Sequence, residues 1–480
     1  MVSSNHENAA GSLAFPKRLW GKIVGFALRL KNLGKDDPRR MIHCFKVGLA
    51  LTFVSLFYYF KPLYDGFGLD TMWSILTVVV VFEFSVGATL GKGLNRMLAT
   101  LTAGALGIGA HRLATLSGET GEPILIALFV FIIAGIVTFL RFIPQIKARY
   151  DYGMMVFILT FCLILVSGDR DEEVVRMGFE RLSTIVIGSC AAVFVCTFIC
   201  PVWIGVDLHN HIATNIEKLG NFLEGFEDGY FKISEDGQPI NKSSSLQGYK
   251  SVLTSSSKEE IMANLAKWEP CHGKFRFRHP WNEYLKVGSV TRQCAFKIES
   301  LNHYLTSEIQ SPPEVRSIIQ GECTVISSEC GKALKELASE VRKMTKSSAA
   351  EPHITNSKAA AENLKAVIRS SLSKHCNYLE IMQAGAVASL LFEVVKCTEE
   401  IAGAAHKLAS LAHFKNAKPR VTPETQELPS QGAVNPVSGI DGAHHVITID
   451  PSQSLRGSEN SSPPVLAPRM EVQTLEMSSF

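Results

Sequence analysis

The sequence predicts an all-α membrane protein with six transmembrane helices per subunit, followed by a cytosolic helical bundle and a disordered C-terminal tail. Three observations carry that expectation. Mean hydropathy over 480 residues is +0.14, and only 19% of the residues are charged, against about 25% in soluble chains. The long apolar runs crowd between Cys44 and Trp203. Beyond them, apolar residues recur at threes and fours in stretches of ordinary polarity, the period of amphipathic helices.

Residues 1–42 form a basic arm carrying Lys17, Arg18, Lys22, Arg29, Lys31, Lys35, Arg39 and Arg40. The first apolar run lies too far in and is too long for a cleaved signal peptide. Apolar stretches follow at 44–60, 67–84, 90–110, 123–140, 152–167 and 182–203, each near the ~17 to 25 residues a helix needs to cross a ~30 Å hydrocarbon core. Six in succession assign 43–205 to a transmembrane domain. Basic residues favour the cytosolic ends of crossings, so the arm is cytosolic, and Lys92, Arg96, Arg141, Lys147 and Arg149 fall on the same side. The loop 168–181, with Asp169, Asp171, Glu172, Glu173 and Glu180, then faces outward. Tyr58, Tyr59, Tyr64 and Trp73 suit an interfacial aromatic belt.

Six crossings return residues 206–415 to the cytosol as a helical domain. Two stripes define its longest helices: Val315, Ile319, Ile326, Cys330, Leu334, Leu337, Val341 and Met344, then Leu379, Met382, Ala386, Leu390, Val394, Cys397, Ile401, Ala404, Leu408 and Leu411. Their period fits an antiparallel bundle or packing against a second subunit. Residues 236–257, rich in Ser, read as a loop. Residues 416–480, dominated from Pro419 by Pro, Ser, Gly and Gln, read as a disordered tail, with Thr422, Thr425, Ser430, Ser461 and Ser462 open to phosphorylation.

Several function classes are excluded. Forty-eight basic against 45 acidic residues leave a net charge of +3, with no concentrated basic face for nucleic acid. Eleven cysteines include no CxxC pair, so neither a disulfide framework nor a zinc site is indicated. Cys271, His272 and His279 lack the further pair that a tetrahedral site needs. Gly87 to Lys92 is one residue too short for a phosphate-cradling loop, and Gly93 stands where its Ser or Thr belongs. Gly104, Gly107 and Gly109 miss the dinucleotide spacing. No nucleophile, base and carboxylate set stands out, so an enzyme and a cofactor are not expected.

The chemistry lies in charge placed where charge is costly. Lys46 falls early in the first run, Glu83 near the end of the second, Lys92 and Arg96 early in the third, and Arg181 at the mouth of the sixth. Intramembrane ionisable groups cost about 2.5–3.5 kcal/mol near the bilayer centre, so they face partners or a water-filled path. Lys92 and Arg96 share a helix face that continues through Ala99, Ala103, Gly107 and Ala110. Small residues admit a neighbouring helix or a path to the backbone, and a basic ring selects anions. Snorkelling of Lys46, Lys92 and Arg96 to headgroups is the competing reading. Glu83 gains nothing from an anionic leaflet, and one of these bases is its expected partner. Farther on, Phe275, Arg276, Phe277 and Arg278 alternate, which would separate aromatics from bases if the segment were extended.

Longer motifs complete the picture: Asp37-Pro38-Arg39-Arg40, the stretch 73–96 (WSILTVVVVFEFSVGATLGKGLNR), GIGAH at 107–111, RLST at 181–184, Cys200-Pro201-Val202-Trp203, and Trp268-Glu269-Pro270 with the following HGKFRFRHPW. Together they resemble the plant aluminium-activated malate transporter family over roughly residues 36–415. The resemblance implies a homodimeric anion channel in a lipid bilayer, with its pore along the subunit interface. The permeant ions implied are malate and other organic acids, chloride, nitrate and sometimes sulfate. Pore or anion-binding residues would be Lys92, Arg96 and Arg181, with Lys147 and Lys46 as further choices and Glu83 as a gating or charge-pairing residue. Trp268, Glu269 and Pro270 would dock the cytosolic domain. Gating by voltage, ligand or phosphorylation stays open, as does activation by aluminium, a hard cation for which Asp65, Asp171 and Glu172 offer outward oxygen ligands. An arm shorter than the extension of vacuolar members points to the plasma membrane. The alternative function is a proton-coupled organic-anion carrier with Glu83 as its proton site, disfavoured by the lack of an inverted repeat of broken helices.

Overall fold

The computed structural model describes residues 22, 24–26, 28–56, 59, 71–166, 171–226, 248–276, 278–306, 313–371 and 378–416, all within one compact unit spanning 1–418. Every described position from 22 to 36 is helical, and this segment is α1. It is followed by α2 (Pro38–Leu56), α3 (Thr71–Val81), α4 (Val86–Thr115), α5 (Gly118–Leu140), α6 (Pro144–Val166), α7 (Asp171–Phe198) and α8 (Ile204–Glu224). Then come α9 (Lys250–Leu253), α10 (Ser256–Ala266), α11 (Trp281–Thr306), α12 (Pro313–Lys343), α13 (Ala350–Ser371) and α14 (Tyr378–Leu411). The described residues are all-α apart from β1 (Thr345–Lys346) and β2 (Lys415–Asn416), which pair in parallel and tie the end of α12 to the end of α14.

Helices stand at all six apolar runs, with boundaries set by local chemistry. Three segments are long and apolar enough to cross a membrane: Thr120–Leu140, Pro144–Val166 and Arg181–Phe198. Helices α2 and α4 have the length, but Arg39, Arg40 and Lys46 on one and Lys92, Arg96 and Arg112 on the other dilute their apolarity. Helix α3 has only 11 residues, about 16 Å at 1.5 Å per residue. The run expected at 67–84 therefore breaks at Phe82, and Glu83 lies in a non-helical link just past the end of α3. Ser85 restarts the helix by accepting the Ala88 N–H at 3.3 Å, as an N-cap does.

A second correction concerns the acidic loop expected over 168–181. It is mostly helix, because α7 begins at Asp171. Carboxylates in a first turn complement the helix dipole, so the acidic cluster marks a helix start that hydropathy alone reads as a loop. The 236–257 loop is likewise shortened by α9 and the start of α10, while 227–247 lie outside the described residues.

Two apolar cores organise the half before α8. Ala50 and Val54 of α2 meet Val78 and Val81 of α3 and Ala192, Val195 and Cys196 of α7. Ala103 and Ala110 of α4 meet Phe161 and Leu165 of α6, with Ile126 and Phe129 of α5 against them. Close backbone approach draws α4 to α6: a methyl on Gly107 would lie 3.1 Å from Ile164 Cγ2, and one on Gly153 would lie 3.3 Å from the Asn95 carbonyl oxygen. The small face Ala99-Ala103-Gly107-Ala110 is thus a helix-packing surface and not an open path.

From α8 onward one larger core joins α8 (Leu208, Ile212, Ile216, Leu219), α11 (Val287, Ile298), α12 and α14. All eight residues of the first stripe are buried, seven on α12 and Met344 just past its end. On α14 the stripe holds through its middle, where Val394, Cys397, Ile401 and Leu408 are buried together with Val387, Leu391 and Ala405, but not at its edges, where Met382 and Leu411 are 65% and 50% exposed. Both edges of that helix are apolar, so periodicity alone does not choose between them. Leu337 is fully buried at the centre of this bundle. Leu337→Ala is expected to cost about 2–5 kcal/mol through lost burial and a cavity. Thermal unfolding of the full chain in detergent checks this, and an unchanged midpoint would contradict it.

Candidate functional site

The site is built on the break between α3 and α4. The link 82–85 leaves backbone groups outside any helix, and several find partners. The Glu83 N–H donates to Thr89 Oγ1 at 3.0 Å, that hydroxyl donates to the Ser85 carbonyl at 3.1 Å, and the Val86 N–H donates to the Val202 carbonyl at 3.1 Å. The break is therefore a fixed feature. It aims Glu83 at the first turns of α4, where Lys92 Nζ forms an ion pair with Glu83 Oε1. The pair is not sealed: Glu83 and Lys92 side chains keep 36% and 38% of their surface open.

One helical turn along, Arg96 Nη1 donates to the Tyr152 hydroxyl of α6 at 3.0 Å, and Lys92 Nζ lies 5.7 Å from the centre of the same ring. Tyr152 thus joins both bases, a role that sequence reading missed because it entered only as the start of an apolar run. Close by on α6, Arg149 lies 4.8 Å from the Trp268 ring centre. Of the three bases near the start of α4, Lys92 pairs with Glu83, Arg96 with Tyr152, and Arg149 lies over Trp268.

The remaining candidates fall elsewhere. Arg181 packs over Trp73, 4.0 Å from the ring centre. Trp73 precedes Glu83 by ten positions on and beyond α3, about 15 Å along that axis, so Arg181 is a separate basic station. Lys46 is fully buried and donates to the Cys200 carbonyl at 3.3 Å. There it satisfies a carbonyl just past the C-terminus of α7, where a cation is favoured, with no open face toward an anion. Lys147 is exposed and has no side-chain partner among the described residues. Asp65 lies outside the described residues, as do the side chains of Asp171 and Glu172. Among the described residues no group of three or more His, Cys, Asp or Glu could hold a metal ion.

Trp268, Glu269 and Pro270 stand between the two halves of the unit. The indole faces α4 and α6: a methyl on Gly91 would lie 3.1 Å from Trp268 Cδ1, and Arg149 covers the ring. The neighbouring carboxylate turns to α8, where Glu269 Oε1 accepts the Ile204 N–H at 2.6 Å and Oε2 the Gly205 N–H at 3.1 Å. It caps α8 from 64 or more residues away, satisfying N–H groups that a helix start leaves unpaired. His272 Nδ1–H donates to the Pro270 carbonyl at 2.9 Å, and the ring stacks on Trp203 with 3.9 Å between ring centres. The segment after it is not extended as the alternation suggested. His272 and Phe275 close a tight turn, and Arg278 has φ of 59°. Phe277 lies outside the described residues.

Burial raises the Glu269 carboxyl to about 7, with nearby Asp207 pushing the same way, against the two N–H donors. A carboxyl raised in the folded state contributes stability that is full below its unfolded value and lost as pH rises through its folded one. The full chain is therefore expected to lose stability between about pH 5 and 8 relative to Glu269→Gln. Thermal melts in detergent at both pH values test this, and parallel curves for the two proteins would contradict it.

The chain's relatives bear on this geometry. A family model described as aluminium activated malate transporter matches residues 31–377. Aluminum-activated malate transporter 2 of Arabidopsis thaliana is 49% identical over 422 residues, covering 87% of this chain and 84% of its own. Aluminum-activated malate transporter 1 of the same plant is 47% identical, covering 87% and 86%. The Triticum aestivum protein of that name is 43% identical, covering 82% and 87%. These relatives are named as transporters and not as enzymes. With most of its length matched, from within α1 to just past α13, this chain belongs to the aluminium-activated malate transporter family.

Proposed function

We propose that the chain is an anion channel that passes malate and other organic or inorganic anions across a plant membrane. In this reading two subunits assemble as a homodimer. Residues 43–205 cross the bilayer six times, 206–415 form the cytosolic domain, and 416–480 form a tail open to phosphorylation. The observation that carries it is the Glu83–Lys92–Arg96–Tyr152 cluster: a fixed break in a helix pair places more positive than negative charge at one end of an otherwise apolar bundle. The outward face of α5, with Ile124, Phe131 and Phe139 at 70–79% exposure, supports contact with lipid. The relatives' names support malate as substrate. The basic arm and the positive-inside bias place the break at the cytosolic mouth, and the plasma membrane remains the favoured location.

An anion entering this mouth would meet Lys92 and Arg96 with Glu83 partly neutralising Lys92, so that displacement of the carboxylate by the anion frees a binding charge. The carrier alternative needs Glu83 to take up and release a proton, whereas its carboxylate is engaged by Lys92 in an ion pair. Purified full chain in a planar bilayer with malate on one side is expected to give unitary currents. Steady uptake into vesicles that follows a proton gradient, with no unitary events, would support the carrier instead.

A further inference from the structure

We infer that α1 is an interfacial helix that lies on the cytosolic leaflet and binds anionic lipid headgroups. The inference rests on the membrane reading above and extends it to a segment outside the crossings. The described apolar side chains of α1 find no core: Val24, Phe26, Leu28, Leu30 and Leu33 are all exposed. At about 100° per residue Phe26, Leu30 and Leu33 fall within a sector of about 60°. Lys22 and Arg29 border that sector on one flank, whereas Lys31 and Lys35 fall on the opposite side of the helix together with Val24 and Leu28. None of these four bases has an ion-pair partner among the described residues. An apolar sector bordered by Lys22 and Arg29, with further unpaired bases on the opposite side of the helix, is the pattern of a helix lying in a membrane interface, the bordering stems buried and the charges reaching headgroups.

The junction with α2 fixes where this surface lies. Pro38 opens α2 and lacks the N–H that would continue a helix from α1. The residue before a proline is pushed out of the helical region, and Asp37 there accepts the Arg39 N–H at Oδ1 (3.1 Å) as the cap of α2. The chain therefore ends one helix and starts another within a residue. Arg39 is held to Asp207 of α8 at 3.0 Å, which keeps the bend beside the start of the cytosolic half. If α2 enters the bilayer, α1 begins at its surface, where negative lipid potential attracts juxtamembrane Lys and Arg. Charge complementarity selects an anionic leaflet over a second copy of α1, whose bases would repel these.

Amide hydrogen exchange on the full chain tests this in nanodiscs of phosphatidylcholine alone and of phosphatidylcholine with phosphatidylserine. Exchange at residues 24–36 is expected to slow at least about fivefold in the anionic discs. The variant Lys22→Gln/Arg29→Gln/Lys31→Gln/Lys35→Gln should lose that difference while residues 86–115 exchange as before. Equal exchange in both lipids would overturn the inference, as would protection matched by cross-linking of α1 to another subunit in either lipid. Release of the chain from membranes by alkaline carbonate would instead overturn the membrane reading itself, a result distinct from a retained chain whose α1 ignores lipid charge.

Discussion

Lys92→Gln is expected to lower malate current about tenfold or more at equal surface expression. A unit charge ~4 Å from a permeating carboxylate is worth about 4 kcal/mol at an effective dielectric of about 20, and about 1.4 kcal/mol already amounts to tenfold. Glu83 and water reduce the Lys92 contribution, since both side chains keep over a third of their surface open. The substitution also leaves the Glu83 carboxylate facing the anion without its partner, which adds repulsion. Glu83→Gln has the opposite sign, because it releases Lys92 from its pair, and currents should be kept or raised. Whole-cell recording with surface labelling reads both variants. Transport abolished by Glu83→Gln in protein that reaches the membrane would favour the proton-coupled carrier.

Gly87→Ala is expected to weaken both assembly and current through a contact distant from any anion. A methyl at Gly87 would overlap the Leu265 carbonyl oxygen and lie 3.0 Å from Glu269 Cγ. The backbone of α10 cannot swing aside as a side chain would, so overpacking should cost about 1–3 kcal/mol and push α4 off the segment carrying Trp268. On the same helix, a methyl at Gly109 would meet nothing within 4 Å, so Gly109→Ala is the control and should be neutral or slightly stabilising. Size-exclusion profiles, thermal midpoints and currents compare the two. Indistinguishable variants would remove the proposed mechanical link between α4 and the segment around Trp268.

The places of most helices were legible because burial imposes a period on sequence. Runs 123–140 and 152–167 correspond to α5 and α6, and every residue of the Val315 to Met344 stripe is inside the core. Features set by competing local rules were not legible. Four consecutive valines up to Val81 read as a continuing crossing, yet Ser85 caps a new helix four residues later. Acidic residues from Asp171 read as an exposed loop although they open α7.

In the candidate site, the charged residues announced themselves by being out of place among apolar ones, and Glu83 has the kind of partner expected for it. What they touch was hidden, because partners such as Tyr152 for Arg96, Trp73 for Arg181 and the Ile204 and Gly205 amides for Glu269 lie 56 or more positions away. No local period encodes such pairings. Lys46 shows the reverse case: a base conspicuous in sequence is spent on a carbonyl inside the fold.

The central claim is that anions pass the basic cluster at the start of α4, and the reversal potential of reconstituted channels tests it most directly. With malate concentrations unequal across the bilayer, the unsubstituted chain should reverse near the malate equilibrium potential. Arg96→Gln, which removes a base with no acid in ion-pair reach among the described residues, should shift that potential toward the cation value and lower unitary conductance. An Arg96→Gln channel that reaches the membrane and reverses at the unchanged potential with unchanged conductance would contradict the account.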